Sequence, residues 1–152
     1  MASGLRAGAL LAASDQFDIT IEGTGAHAAF PHLGVDPIVI ASQVISAAQS
    51  IVSRTTDPLQ SAVVTFAQIV AGTTYNIIPQ SATIKGTIRT LDEGVRRVTH
   101  LKLKEIAKGV AEGMGGRAIV DVRDGYPVTY SDERTVAFVE RVFGGDLGSQ
   151  LA

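Results

Sequence analysis

Three histidines, one loop asparagine and one strand arginine are the residues whose chemistry can reach beyond packing. His27 lies in Gly23-Thr24-Gly25-Ala26-His27-Ala28-Ala29, just after a strand-like run. Its small neighbours let a backbone or a substrate come close. An imidazole there can hydrogen-bond or exchange a proton near neutral pH, although a lone loop histidine more often has no role. His32 follows five residues later, and His100 falls inside a helical stretch. Zinc takes three or four ligands, and no third and fourth accompany this pair, so no metal site is expected within the chain. Asn76 sits in Gly72-Thr73-Thr74-Tyr75-Asn76-Ile77-Ile78-Pro79, where an Asn serves as a turn former or as a ligand-binding amide. Arg89 ends a strand on its polar face, as a solvated charge or as a bidentate grip for a carboxylate. No nucleophile stands with a base. Gly23-Thr24-Gly25 lacks the third glycine and the lysine of a phosphate cradle.

The elements that must position these residues follow from periodicity. Phe17, Ile19 and Ile21 alternate with polar residues, which predicts a half-buried strand. Asp36-Pro37 predicts a capped helix start, with the helix running to about Arg54. Its apolar residues cover more than the one stripe that a surface helix needs, which implies a second partner. Residues 61–71 form a β-rich run with few charges; at a sheet edge, such a strand must be paired or covered. Ala82, Ile84, Gly86 and Ile88 alternate with Thr83, Lys85, Thr87 and Arg89 as a third strand. Asp92 caps a second helix whose expected stripe is Val95, Val98, Ile106, Val110 and Met114, with Leu103 alongside, and which Gly115-Gly116 ends. Ala118, Val120 and Val122 make a fourth strand, Gly125-Tyr126-Pro127 a turn, and Thr135 to Phe143 a short helix.

The order β-α-β-β-α-β is the ferredoxin-like arrangement, an α+β fold with a four-stranded antiparallel sheet and both helices on one face. Its strand order, 4-1-3-2, puts strand 61–71 at an edge, on the side of helix 37–54. Two copies are expected to pair that strand across a two-fold axis and to pack the helices together, giving a homodimer.

Composition narrows the function classes. The chain has 152 residues, enough for one domain, and 45 % are hydrophobic, enough to fold. A net charge of −2 argues against nucleic acid and anionic membranes as partners. With no cysteine, disulfides and thiolate zinc sites are excluded and a cytoplasmic home is permitted. No apolar run approaches the ~18 residues of a membrane span. Arg6 followed by Ala7 to Ser14 imitates a secretion signal, but the run is short and holds two leucines, so it reads as a connecting segment. An RNA-binding domain of this topology needs aromatics facing outward on the central strands, and none stand there. A free-standing small-molecule-binding regulatory module remains open on fold alone.

Three stretches read together carry a resemblance. They are Gly25-Ala26-His27-Ala28-Ala29-Phe30-Pro31-His32 with Val35-Asp36-Pro37-Ile38, then Gly72 through Asn76-Ile77-Ile78-Pro79, then Gly86-Thr87-Ile88-Arg89-Thr90. Over about residues 5 to 140, the chain resembles the inserted lid domain of the zinc-type aminoacylase and carboxypeptidase family. The nearest group is the amidohydrolases acting on N-acyl amino acids, such as hippurate hydrolase and auxin-conjugate hydrolases. The resemblance implies a lid that dimerises through an edge strand and a helix. His27 then matches the histidine that reaches the partner subunit's active site and stabilises the oxyanion. Asn76 and Arg89 match substrate-side positions, and His32 a structural one. The metal, zinc or another divalent ion, and the glutamate base belong to a catalytic domain that nothing here matches, so the chain alone is expected to be inactive. Residues 1–16 then read as the linker from that domain, 17–124 as the lid and 125–152 as the return. Tyr126 stands before Pro127 where carboxypeptidase-type members often carry Arg, which favours the amidohydrolase group. Residues 144–152 match no pattern.

Overall fold

The computed structural model describes residues 8–143. Its centre is a four-stranded antiparallel sheet built from β2 (Ala13–Glu22), β4 (Ala62–Ala71), β6 (Ser81–Thr90) and β7 (Arg117–Tyr126). The order across it is β4-β6-β2-β7, which is the 4-1-3-2 order expected for this succession of elements. Two long helices, α1 (Pro37–Ser50) and α2 (Glu93–Gly113), cover one face. The additions are β1 (Gly8–Leu11) paired with β8 (Thr129–Ser131), the short ribbon of β3 (Ala26–His27) with β5 (Ile77–Ile78), and α3 (Glu133–Phe143).

Alternation explains the sheet. Phe17, Ile19 and Ile21 on β2 and Ala82, Ile84 and Ile88 on β6 turn inward and are fully or almost fully buried. They meet Ile40, Ala41, Val44, Ala48 and Ile51 from α1 and its continuation, and Leu103, Ala107 and Ala111 from α2. Gly86 lies where β6 passes between the Phe17 ring and the Thr65 carbonyl; a Cβ there would collide with both. Phe17 fills that space and meets Phe66 edge-on at 5.3 Å between centroids. The opposite face of the two central strands carries Gln16, Asp18, Thr20, Thr83, Lys85 and Thr87, a polar surface without aromatics.

Asp36 caps α1 as its sequence context predicts, its carboxylate accepting from the amides of Ile38 and Val39 at 2.8 and 3.4 Å. The helix continues as a π turn over Ile51–Thr55, close to the expected end at Arg54.

Three elements differ from expectation. β2 begins at Ala13, four residues before Phe17, because the inward alternation continues through Ala13 and a fully buried charge, Asp15. β7 runs through Gly125 and Tyr126, which were expected to turn, and the break follows at Pro127. The buried face of α2 is Arg96, Thr99, Leu103, Ala107 and Ala111, rotated by one residue from the expected stripe. Val98 is 47 % and Met114 39 % exposed. The small Ala107 and Ala111 let the helix lie close to the sheet, the ion pair of Arg96 turns that residue inward, and the large aliphatics move to the flanks.

Candidate functional site

The end of the sheet where β2 finishes and β6 starts carries His27 and Asn76, two of the three residues expected to act on a substrate. The chain leaves β2 through Gly23, whose amide donates to the Gln80 carbonyl at 2.8 Å. Thr24 and Val35 then exchange both backbone hydrogen bonds at 2.9 Å, closing residues 24–35 into a loop with a tied neck. The neck is tight: a Cβ on Gly34 would sit 2.6 Å from the Thr24 carbonyl oxygen. Inside the loop β3 pairs with β5, and the Ala28 amide donates to the Asn76 carbonyl at 2.9 Å. His27 and Asn76 therefore stand at adjoining positions of one ribbon, each on a different loop.

Both side chains are exposed and both are held. His27 Nδ1 accepts from the Ala29 amide at 3.1 Å, and the Phe30 ring lies 5.7 Å from the imidazole centroid. Asn76 Oδ1 accepts from the Thr74 hydroxyl at 3.1 Å. What remains outward is the Nε2 side of His27 and the amide NH2 of Asn76. His32 lies in the short 3-10 turn Pro31–Leu33, edge-on to Phe30 at 6.3 Å.

Arg89 is not brought to this ribbon. It pairs opposite Ser14, at the other end of the sheet from the Glu22–Ser81 pair. Eight steps of about 3.3 Å along β6 place the two ends roughly 26 Å apart. Its Nη1 donates to the carbonyls of Ile88 at 3.0 Å and Asp15 at 3.4 Å.

Near Arg89 lies a cluster that was not legible beforehand. The buried Asp15 carboxylate takes two bonds from Arg96, Nε at 2.8 Å and Nη2 at 2.6 Å. It takes a third from His100 Nε2 at 2.8 Å and a fourth from the Gly125 amide at 2.9 Å. Burial works to raise the Asp15 pKa, but the bonds from Arg96, Gly125 and His100 outweigh it and hold the carboxyl below its ordinary value. The Asp15 bond, stronger than the opposing effect of burial, holds the Arg96 pKa above its ordinary value. Asp124 stands 3.8 Å from His100 Nδ1, so Asp15, His100 and Asp124 offer three ligand atoms within 4.8 Å of one another. This cluster does not suit a cation, because the Arg96 guanidinium already engages both Asp15 oxygens. The four-residue spacing of Arg96 and His100 places both on one side of α2, and that was the one available signal.

A sequence profile of the peptidase dimerisation domain matches residues 13–114. The chain belongs to this family. The matched span runs from the start of β2 to the end of α2, three of the four sheet strands and both long helices, and stops short of β7. Among relatives of this dimerisation domain, the N-acetyl-L-cysteine deacetylase of Bacillus subtilis is 43 % identical over 136 residues, covering 90 % of this chain and 33 % of the relative. The hippurate hydrolase of Campylobacter jejuni is 41 % identical over 138 residues, covering 91 % and 36 %. The dimerisation domain thus spans about a third of the length of the curated relatives it matches. Among solved structures, an aminohydrolase from methicillin-resistant Staphylococcus aureus superposes with a TM-score of 0.84 at 26 % identity, covering 93 % of this chain and 36 % of that one. The Bacillus subtilis YXEP protein, a dinuclear metal binding peptidase from the M20 family, superposes with a TM-score of 0.73 at 29 % identity, covering 94 % and 34 %.

Proposed function

We propose that this dimerisation domain is the pairing and lid part of a metal-dependent amidohydrolase that cleaves N-acyl amino acids or similar amides. The observation that carries the proposal is the ribbon of β3 and β5, which brings His27 and Asn76, both exposed, to adjoining backbone positions at one end of the sheet. In this reading, His27 reaches the active site of the partner subunit. It donates to the carbonyl oxygen as that oxygen gains charge in the tetrahedral intermediate. One such donor contributes about 3 kcal/mol of transition-state stabilisation. Asn76 contacts another part of the same substrate. Arg89, roughly 26 Å away along β6, serves a different site of the dimer or a carboxylate on its own subunit. Zinc or another divalent ion belongs to the catalytic portion of such an enzyme, since the one ligand cluster among the described residues is occupied by Arg96. No helix of the described residues is long and apolar enough to cross a membrane, and a cytoplasmic enzyme fits a chain without cysteine.

The pairing surface is β4 with the flank of α1 beside it. β4 bonds β6 on one side only, and Val63, Ile69 and Val70 are half exposed. Ile38, Ile45 and Val52 recur every seven residues and form one line along the helix. Ile38 shares a depression with Ala71 and Gly72 at one end of β4, and Val52 shares another with Ser61 and Ala62 at its other end. An apolar edge strand with an apolar helix flank alongside is what a two-fold strand pairing requires.

Sedimentation equilibrium of the purified chain, with a metal assay on the same sample, tests this. The expected result is a metal-free dimer. A monomer at micromolar concentration removes the pairing role, and stoichiometric zinc removes the assignment of the metal to another domain. A tight amino-acid ligand found by calorimetry points instead to a regulatory module.

A further inference from the structure

We infer that Thr74 and the Ala29 amide are positioning groups that fix Asn76 and His27 as hydrogen-bond donors, so that this end of the sheet takes a ligand bearing acceptors. That the ligand is an amide substrate with its carbonyl and carboxylate rests on the function proposed above; the donor polarity itself rests on the bonds alone. A neutral imidazole has one N–H and one bare nitrogen, and a bond to either ring position decides which is which. The Ala29 amide donates to Nδ1, so Nδ1 is bare and the proton sits on the outward Nε2. An asparagine amide has one accepting and one donating end. The Thr74 hydroxyl donates to Oδ1, which turns the NH2 outward. Neither bond comes from a distant element: each spans two residues of its own loop, and the β3–β5 pairing sets both loops together. The result is two exposed groups, each with an N–H turned outward. An outward N–H of this kind receives a carbonyl oxygen, an oxyanion or a carboxylate. Thr74 is separated from Asn76 by Tyr75, which is fully exposed and leaves the Thr–Asn contact intact.

Nitrogen-15 NMR on the 152-residue chain tests both bonds. At about pH 8, where an ordinary imidazole is neutral, the His27 ring should lie further toward the Nε2–H tautomer than the His32 ring in the same spectrum. The expected excess is about fivefold, the population ratio that one ordinary hydrogen bond sustains. Equal tautomer ratios for the two rings, or an Nδ1–H form of His27, overturn the assignment. Thr74→Val should shift the Asn76 side-chain amide signals while leaving the backbone amides of β3 and β5 in place, and Thr74→Ser should restore them. Asn76 signals unchanged in Thr74→Val overturn the role of Thr74. The tautomer measurement needs no variant, so it stands even if the substitution disturbs the loop. These readouts do not depend on dimerisation or hydrolysis. A monomer with the expected tautomer would therefore sink the proposed function and leave this inference standing.

Discussion

Asp15 shows how one buried charge organises its surroundings. Its four donors come from α2 and β7, so the carboxylate ties β2 to both neighbours at the end of the sheet near Arg89. Removing one partner of a buried pair leaves the other charge uncompensated and costs about 3–5 kcal/mol. Arg96→Met, which keeps most of the volume, should lower the unfolding free energy by about that amount in urea; a loss below ~1 kcal/mol, the range of exposed pairs, would mean the clasp is not a major support. The pH dependence has a definite sign. The folded Asp15 pKa lies below the ordinary 3.8, so the unfolded chain takes up this proton first as pH falls. The contribution is fully present above 3.8 and is lost as pH drops through 3.8 toward the folded value. The stability gap between the wild type and Arg96→Met should therefore narrow in acid, and a gap of constant size down to about pH 2 would contradict this. Nothing in the spacing announced the clasp. Asp15 and Arg96 are far apart in sequence, and an aspartate ahead of an apolar run reads as the end of a strand, which is why β2 was expected to start at Phe17. His27 and Asn76 stood out because Gly- and Pro-marked loops bracket them, whereas the bonds that orient them involve Ala29 and Thr74, residues of ordinary type.

At the scale of elements, strands were easier to read than the rotation of a helix. Period two leaves only two choices of face, and Phe17, Ile19 and Ile21 decide between them. On α2 the choice is continuous, and the largest aliphatics point to a face one residue away from the real one. Alanines carry little weight in such a pattern, yet Ala107 and Ala111 are fully buried and make the close approach. The two registers give opposite expectations for Val98, inward in the expected stripe and on the exposed flank in the structure. Leu103→Ala removes a fully buried side chain and should cost about 2–5 kcal/mol. Val98→Ala, on the exposed flank, should stay within about 0.5 kcal/mol. Thermal or urea unfolding of the two variants reads the difference directly. A larger loss from Val98→Ala than from Leu103→Ala would restore the face expected from the sequence.

For the whole molecule, the consequence lies at β4. The core accounts for the inward residues of β2 and β6 and for the buried face of α1, but not for Val63, Ile69 and Val70 or for Ile38 and Val52. Single exposed apolar residues are normal, but these lie on one edge and the helix flank beside it, and the strand's outer backbone groups face away from the sheet. Natural edge strands that stay unpaired commonly carry lysine or other charges, and between Ala62 and Ala71 there is none. Placing one lysine on each half of the surface, as Val52→Lys with Ile69→Lys, should leave the fold intact because both side chains are 39 % or more exposed. It should also oppose pairing, since a two-fold interface would then enclose two introduced lysines from each copy on an apolar surface. The expected outcome is a monomer by sedimentation with an unchanged circular dichroism spectrum, next to a wild type that sediments as a dimer. If the double variant remains a dimer, the copies associate through another face. The exposed Leu11, Tyr126 and Tyr130 are then the next apolar side chains to charge, ahead of the polar sheet surface around Lys85 and Arg123.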